Sequence, residues 1–425
     1  MKKLMIFLVF VFLGYANLSA LNTFNLPGNP SVFVFPTEEQ YTMSGPTYGF
    51  MDFQEGFHIT NASTTLALGI NSIIRGGFLR LDNLSTMIID FDLHLTESSK
   101  FIIGTSPGDV AFLQGVGSAL VCHGNLIIPA QRALEVPDSN FITIDGKGHD
   151  IIFEPGAQLR VGDMSLLYIK NAVLKNINGV ASSNGSIALL TMDSSVILEN
   201  VTIDLSGTYT LDQGTMLIRD YVSIEGENQV FAFASRFTDL LNKRNLIVDS
   251  NSTLCFSIGT TFVYSQPSNA AEDVFAAAQM LVLTDKSSRL LFDGCTVKIP
   301  VVNTPLTLGG NPYGSFDVGA MYLTKGTVTF KNRVIIESLL SNDNLPSPWG
   351  FISGGIPYTY VPGLQWGGYG VLPSLDVNLE FFAASIVHPI KGFLYKIFIF
   401  LRGNPFEPPL AGIMAIILCF FIDKL

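Results

Sequence analysis

Asp90, Asp92 and His94 occupy alternate positions in the stretch Ile89-Asp90-Phe91-Asp92-Leu93-His94. In an extended strand that spacing puts all three side chains on one face. Two carboxylates beside an imidazole can hold calcium, or supply the acid and base that break a glycosidic bond. They are the candidate catalytic residues, with Asp90 and Asp92 the candidate metal ligands, and Arg80 and Asp82 are assigned to the preceding turn of the chain. The outward face of a strand is ordinarily polar, so the same acids also read as solvated surface residues. A second group, Asp145, Lys147, His149 and Asp150, is interrupted by Gly146 and Gly148 and reads as a glycine-bearing turn.

Other chemistry lacks support. No Gly-x-Ser-x-Gly elbow, HExxH or P-loop is present, so nucleophilic, zinc and nucleotide chemistry have no motif behind them. No cofactor is expected, and calcium enters only if the acidic face is a lyase site. The net charge is −11 and lysine and arginine form no run, which excludes nucleic acid as an expected partner. The cysteines Cys122, Cys255, Cys295 and Cys419 lie far apart and read as buried thiols, with one long-range disulfide as the alternative.

The elements that must position these residues are short strands. Charged residues make up 14% of the chain against roughly 25% in ordinary soluble domains, so most side chains are hidden. From Gly76 to Leu340 one phrase recurs: FITIDGKGHD at 141–150, LYIKNAVLKNI at 167–177, VILENVTIDL at 196–205, LLFDGCTVKI at 290–299 and VTFKNRVIIES at 328–338. In each, a strand of three or four residues meets a small or polar corner and a second strand follows at once. Asn171, Asn200, Asp220, Asp293-Gly294 and Asn332 are the corners, residue types that tolerate left-handed backbone angles. Their unequal spacing predicts turns of about 20 residues with loops inserted in some of them.

These phrases, ITIDGKGHDI at 142–151 above all, resemble the pectin-lyase-like superfamily of right-handed parallel β-helices. The resemblance is one of repeat style over residues 76–340. It implies an all-β chain: a single-stranded right-handed parallel β-helix with irregular end caps and a short hydrophobic C-terminal tail, its coils burying only against their neighbours. The expected divisions are a signal peptide at 1–20, an N-terminal cap at 21–75, the β-helix at 76–340, an irregular C-terminal cap at 341–385 and the tail at 386–425. An antiparallel sandwich is the alternative, with Asn184-Gly185 as a hairpin turn. Ser268 to Met280, rich in alanine, is expected to be a helical excursion.

Met1-Lys2-Lys3, the apolar run Leu4 to Leu13 and Leu18-Ser19-Ala20 form a secretory leader cleaved after Ala20. The chain is therefore expected to be exported, and to be extracellular, periplasmic or at the cell surface. The tail holds a second apolar run, Leu410 to Ile422, as a helix only ~20 Å long against the ~30 Å of a hydrocarbon core. Three readings stand: a terminal helix packed on the core, a membrane-associated hairpin, or a segment that resembles tripartite bacterial sorting signals. In that last comparison Glu407 follows Phe406 where the Pro-Glu-Pro type has proline, and Lys424 stands alone. The expected function is a structural or adhesin-like binding protein for a polysaccharide or surface partner. A polysaccharide lyase or glycoside hydrolase is the alternative, since exported β-helices often carry those activities.

Overall fold

The computed structural model describes residues 100–234, 245–265, 281–308, 311–323 and 325–339, with shorter segments between 33 and 97 and between 349 and 399. Side chains are described for 100–233, 246–264, 281–298 and 325–335 and for parts of 73–97. The expected leader, the alanine-rich stretch 268–280 and the apolar run 410–422 lie outside the described residues.

Among the described residues every regular element is a strand, and most strands pair in parallel. Phe78 stands beside Lys100, Thr86 beside Phe112 and Leu93 beside Leu120, offsets of 22, 26 and 27 residues. Successive strands therefore enter three different sheets before the chain returns to the first. One sheet has four strands, Phe33–Phe35, Gly56–Ile59, Phe78–Leu81 and Lys100–Ile103. Another has seven, from Gln40–Ser44 to Ile187–Leu189. Nearly all the remaining strands form a third, mostly parallel sheet that closes on itself. Parallel pairing is already present between Phe33–Phe35 and Gly56–Ile59, within the stretch expected to be a cap. The pairs described before Thr296 run parallel, and Ile187–Leu189, which follows Asn184-Gly185, pairs in parallel with Gln158–Val161. Asn184-Gly185 thus links parallel strands, where the sandwich alternative made it a hairpin turn.

The chain divides into two compact units, residues 1–177 with 183–197, and residues 178–182 with 198–425. In the first, strands alternate buried and half-buried positions, as in Thr86–Ile89 and Asp150–Phe153. The buried set stacks like on like: Leu134, Leu159 and Ile187 share one row and Ile144 and Ile169 another, all essentially without solvent contact. Each such side chain contributes roughly 1.5–3 kcal/mol when fully buried.

The second unit replaces aliphatic rows with aromatic ones. Tyr209, Phe231 and Phe262 stand in register, as do Phe256, Phe292 and Phe330. Neighbouring ring centroids are 5.8 and 6.4 Å apart in the first row and 5.8 and 5.6 Å in the second. Phe256 and Phe262 approach to 4.3 Å with 32° between their planes, joining the rows. Repeats are longer here, with Tyr221 beside Thr253 and Leu254 beside Leu290, offsets of 32 and 36 residues. Residues 235–244 and 266–280, which fall within these longer repeats, lie outside the described residues. The stretch expected to be an irregular cap contains an antiparallel hairpin, Trp349–Ser353 with Ile356–Tyr360, and Val377–Val387 parallel to Gly326–Leu339.

Long strands turn corners without a break. Leu166–Lys170 lies beside Phe141–Asp145, while Val173–Lys175 of the same strand lies beside Asp150–Ile152. At the corner Asn171 has φ +51°, and Asn200, Asp220, Gly294 and Asn332 take +52°, +50°, +64° and +58°. The asparagine side chains at these corners then tie one repeat to the next. Asn171 Nδ2 donates to Asp145 Oδ1 at 3.1 Å, and Asn332 Nδ2 donates to Asp293 Oδ1 at 2.5 Å. Replacing Asn171 with glycine keeps the backbone angle and loses one hydrogen bond, an expected cost of about 0.5–1.5 kcal/mol. Asn171→Val adds the strain of a β-branched residue at positive φ, of order 1–3 kcal/mol more. Urea unfolding of the two variants checks the order, and a valine variant as stable as the glycine variant refutes it.

Candidate functional site

Asp90 and Asp82 lie outside the described residues. Thr86–Ile89 ends in the seven-stranded sheet and Leu93–Leu95 begins in the third sheet. The single strand expected to carry Asp90, Asp92 and His94 on one face is therefore divided between Ile89 and Leu93. The reason is the change of sheet, which interrupts two-residue alternation. Arg80 belongs to the four-stranded sheet, beside Ile102, whereas the neighbours of His94 are Ile73 and Val121.

Asp92 precedes the strand Leu93–Leu95, and its Oδ1 accepts the Ala119 N–H at 2.9 Å. This bond fastens the entrance of one strand to the next strand in the sheet. His94 sits on the half-buried side of its strand, between buried Leu93 and Leu95. His123 follows Val116–Cys122 and lies two residues beyond Val121, the partner of His94, on the same face of the pleat. The two rings stack with centroids 5.4 Å apart and 22° between planes, and His94 Nδ1 is 3.1 Å from His123 Nε2. A single proton between those nitrogens makes one ring the donor and the other the acceptor. Burial pushes the His94 imidazole below its ordinary value, and His123 adds to that, while the Asp92 carboxylate opposes it. At neutral pH this favours the neutral form of His94.

Asp145 lies one strand further, in register with Val121 and Lys170, and its side chain is only 4% exposed. Its Oδ1 accepts from Asn171 Nδ2 and from the Lys147 N–H, each at 3.1 Å. Oδ2 is 3.1 Å from Lys147 Nζ and 3.6 Å from Lys170 Nζ. Burial pushes this carboxyl up, but the hydrogen bonds from Asn171 and Lys147 and the charge of Lys170 outweigh it, leaving it below the usual carboxylate range. Gly146 to His149 forms a tight turn: His149 N donates to Gly146 O at 2.8 Å, and Lys147 and Gly148 have φ of +52° and +90°. Asp150 pairs with Lys175 at 2.7 Å. The second group of the sequence is thus a turn whose carboxylates tie neighbouring strands.

The structure therefore brings together Asp92, His94 and His123 and sets Asp145 and Lys147 close enough to act on His94 electrostatically. His123 is the member that sequence reasoning missed. The signal was its 29-residue offset from His94, close to one repeat, which becomes visible only once the sheet register is known. Among the described residues no three His, Cys, Asp or Glu side chains converge closely enough to enclose a metal ion. Cys122, Cys255 and Cys295 are buried and unbridged, and burial pushes the Cys122 thiol up to about 12, a poor nucleophile at neutral pH. No protein-family model, no curated protein and no solved structure matches this chain.

Proposed function

We propose that the chain is an exported, cell-surface β-helix of the right-handed parallel, pectin-lyase-like type that binds a polysaccharide or another surface partner and does not cleave it. Parallel strands visiting three sheets in turn support the β-helix reading, and the strong preference of parallel crossovers for the right hand supports its handedness. Export rests on the leader at Met1 to Ala20. The tail beyond residue 386 is read either as a terminal helix packed on the core or as an attachment, by sorting or by lying in a membrane.

One observation carries the binding reading. Asp92, the described carboxylate singled out for catalysis, is engaged inside the protein by the Ala119 N–H, and Asp145 of the second group is engaged by two lysines, an amide and a backbone N–H. They serve the stacking of strands, and the stacked outer rows offer a long, rigid surface for a repeating ligand. The His94–His123 contact favours a second reading, a lyase or hydrolase in which the neutral imidazole takes a proton beside Asp92, with calcium as the associated cation. Cell fractionation, together with retention of the full chain on immobilised acidic and neutral polysaccharides, tests the preferred function. Surface location with saturable retention on at least one glycan is the expected result. A soluble cytoplasmic product, or retention on none, counts against it.

A further inference from the structure

We propose that the outer face of Val116–Cys122, Phe141–Asp145 and Leu166–Lys170 is an interface through which two copies of this chain associate about a two-fold axis. The proposal does not rest on the binding function above, and the face lies wholly within the first compact unit. Its starting point is an apolar row on the solvent side of the sheet. Ile142, Ile144, Leu167 and Ile169 point inward and are essentially without solvent contact. Strand alternation therefore turns Phe141, Leu166 and Tyr168 outward. Val116, Phe141 and Leu166 stand in register on three consecutive repeats. Val116 is 90% exposed, and Met164, which leads into Leu166, is 67% exposed. The Phe141 ring lies beside Gly117, 3.7 Å from where a Cβ would stand, so the row is continuous. A contiguous apolar row of this kind marks a contact surface, whereas single exposed apolar residues do not.

The charges at the two ends of the row identify the partner. At the end where the strands begin, Asp138 and Asp163 occupy the turns before Phe141 and Leu166. Asp138 accepts the Asp163 N–H at 2.7 Å and Asp163 accepts the Thr191 hydroxyl at 2.8 Å. Among the described residues neither is paired with a lysine or arginine. At the other end Lys147 and Lys170 share one carboxylate, Asp145, at 3.1 and 3.6 Å, which leaves one positive charge over. Along the strand direction the face thus runs acidic, apolar, basic. A two-fold axis that lies in the interface, along the direction in which the strands stack, reverses the strands of the second copy. Apolar row then meets apolar row, and each acidic end meets the basic end of the other copy. The face is complementary to itself, as a two-fold interface requires, with an apolar centre inside a charged rim.

The test is sedimentation velocity of the full chain over a micromolar concentration range, where a monomer–dimer equilibrium is expected. Val116→Asp lowers the association constant by about 10²-fold or more, because each copy then buries an unpaired carboxylate. Asp163→Lys and Lys147→Glu each lower it by about tenfold by setting like charges opposite one another. An equimolar mixture of these two variants regains the association of the parent, since the two changed charges face each other across one contact and the two unchanged charges across the other. Ile127→Asp, at an exposed position of Leu126–Ile128 beyond the turn at His123, leaves association unchanged. Circular dichroism confirms that every variant is folded. A parent chain that stays monomeric overturns the proposal and leaves the face to a different partner. Undiminished association in Val116→Asp, failure of the folded charge variants to associate when mixed, or loss of association in Ile127→Asp would each overturn it as well.

Discussion

Phe292→Ala is expected to destabilise the protein by about 3–5 kcal/mol, the range for deleting a fully buried aromatic side chain. Phe292 makes no solvent contact. It stands between Phe256 and Phe330 in its row, at 5.8 and 5.6 Å, and 5.9 Å from Phe262 in the other. Parallel register fixes these neighbours on consecutive repeats, so the cavity cannot be filled by sliding one strand. Phe292→Leu keeps most of the volume and is expected to cost about half as much or less. Chemical unfolding of the second unit, followed by aromatic circular dichroism, measures both. A loss under about 1 kcal/mol in the alanine variant contradicts the aromatic rows as the source of stability there.

Asp145→Asn is the second large effect, a loss of about 1–3 kcal/mol at neutral pH. The amide retains the shape but withdraws a buried charge from Lys147, Lys170, the Asn171 amide and the Lys147 N–H. The same contacts set a pH dependence. The folded-state pKa of Asp145 lies below the ordinary 3.8, so the folded chain holds this proton less tightly than the unfolded chain does. Its stabilisation is complete above that ordinary value and is lost as pH falls below it toward the lowered folded value. In Asp145→Asn the stability profile is expected to be flatter across this acid window. Equal acid sensitivity of the two proteins sinks the assignment.

The alternation of Leu93, His94 and Leu95, and the corners at Asn171, Asn200, Asp220, Gly294 and Asn332, were legible in the chain because both depend on local chemistry. Period-two hydrophobicity sorts faces within one strand, and positive φ selects asparagine, aspartate and glycine. What sequence could not show depends on register. The strand expected to unite Asp90, Asp92 and His94 changes sheets after Ile89, a turn that no glycine or proline announces. His123 was missed because its neighbour His94 comes from another repeat. The Tyr209, Phe231 and Phe262 row was hidden for the same reason, because its rings are 22 and 31 residues apart in the chain.

The candidate site follows the same division. Asp92 and Asp145 attract attention in the sequence as acids near histidine. Their partners, the Ala119 N–H, Lys170 and Asn171, come from neighbouring strands and turn those acids into ties between repeats. A catalytic carboxylate must be available to substrate in a definite protonation state; these are committed to neighbours within the protein. The neutral His94 beside His123 can serve proton transfer, which places the decisive comparison on that pair.

The most direct measurement of non-cleaving binding is product release from a panel of acidic and neutral polysaccharides by the full chain, with and without calcium, compared with Asp92→Ala and His94→Ala. Binding without release of reducing ends or unsaturated products, identical in all three proteins, is the predicted result. Calcium-dependent or calcium-independent cleavage by the parent chain that is abolished in either variant contradicts it and identifies an enzyme centred on His94.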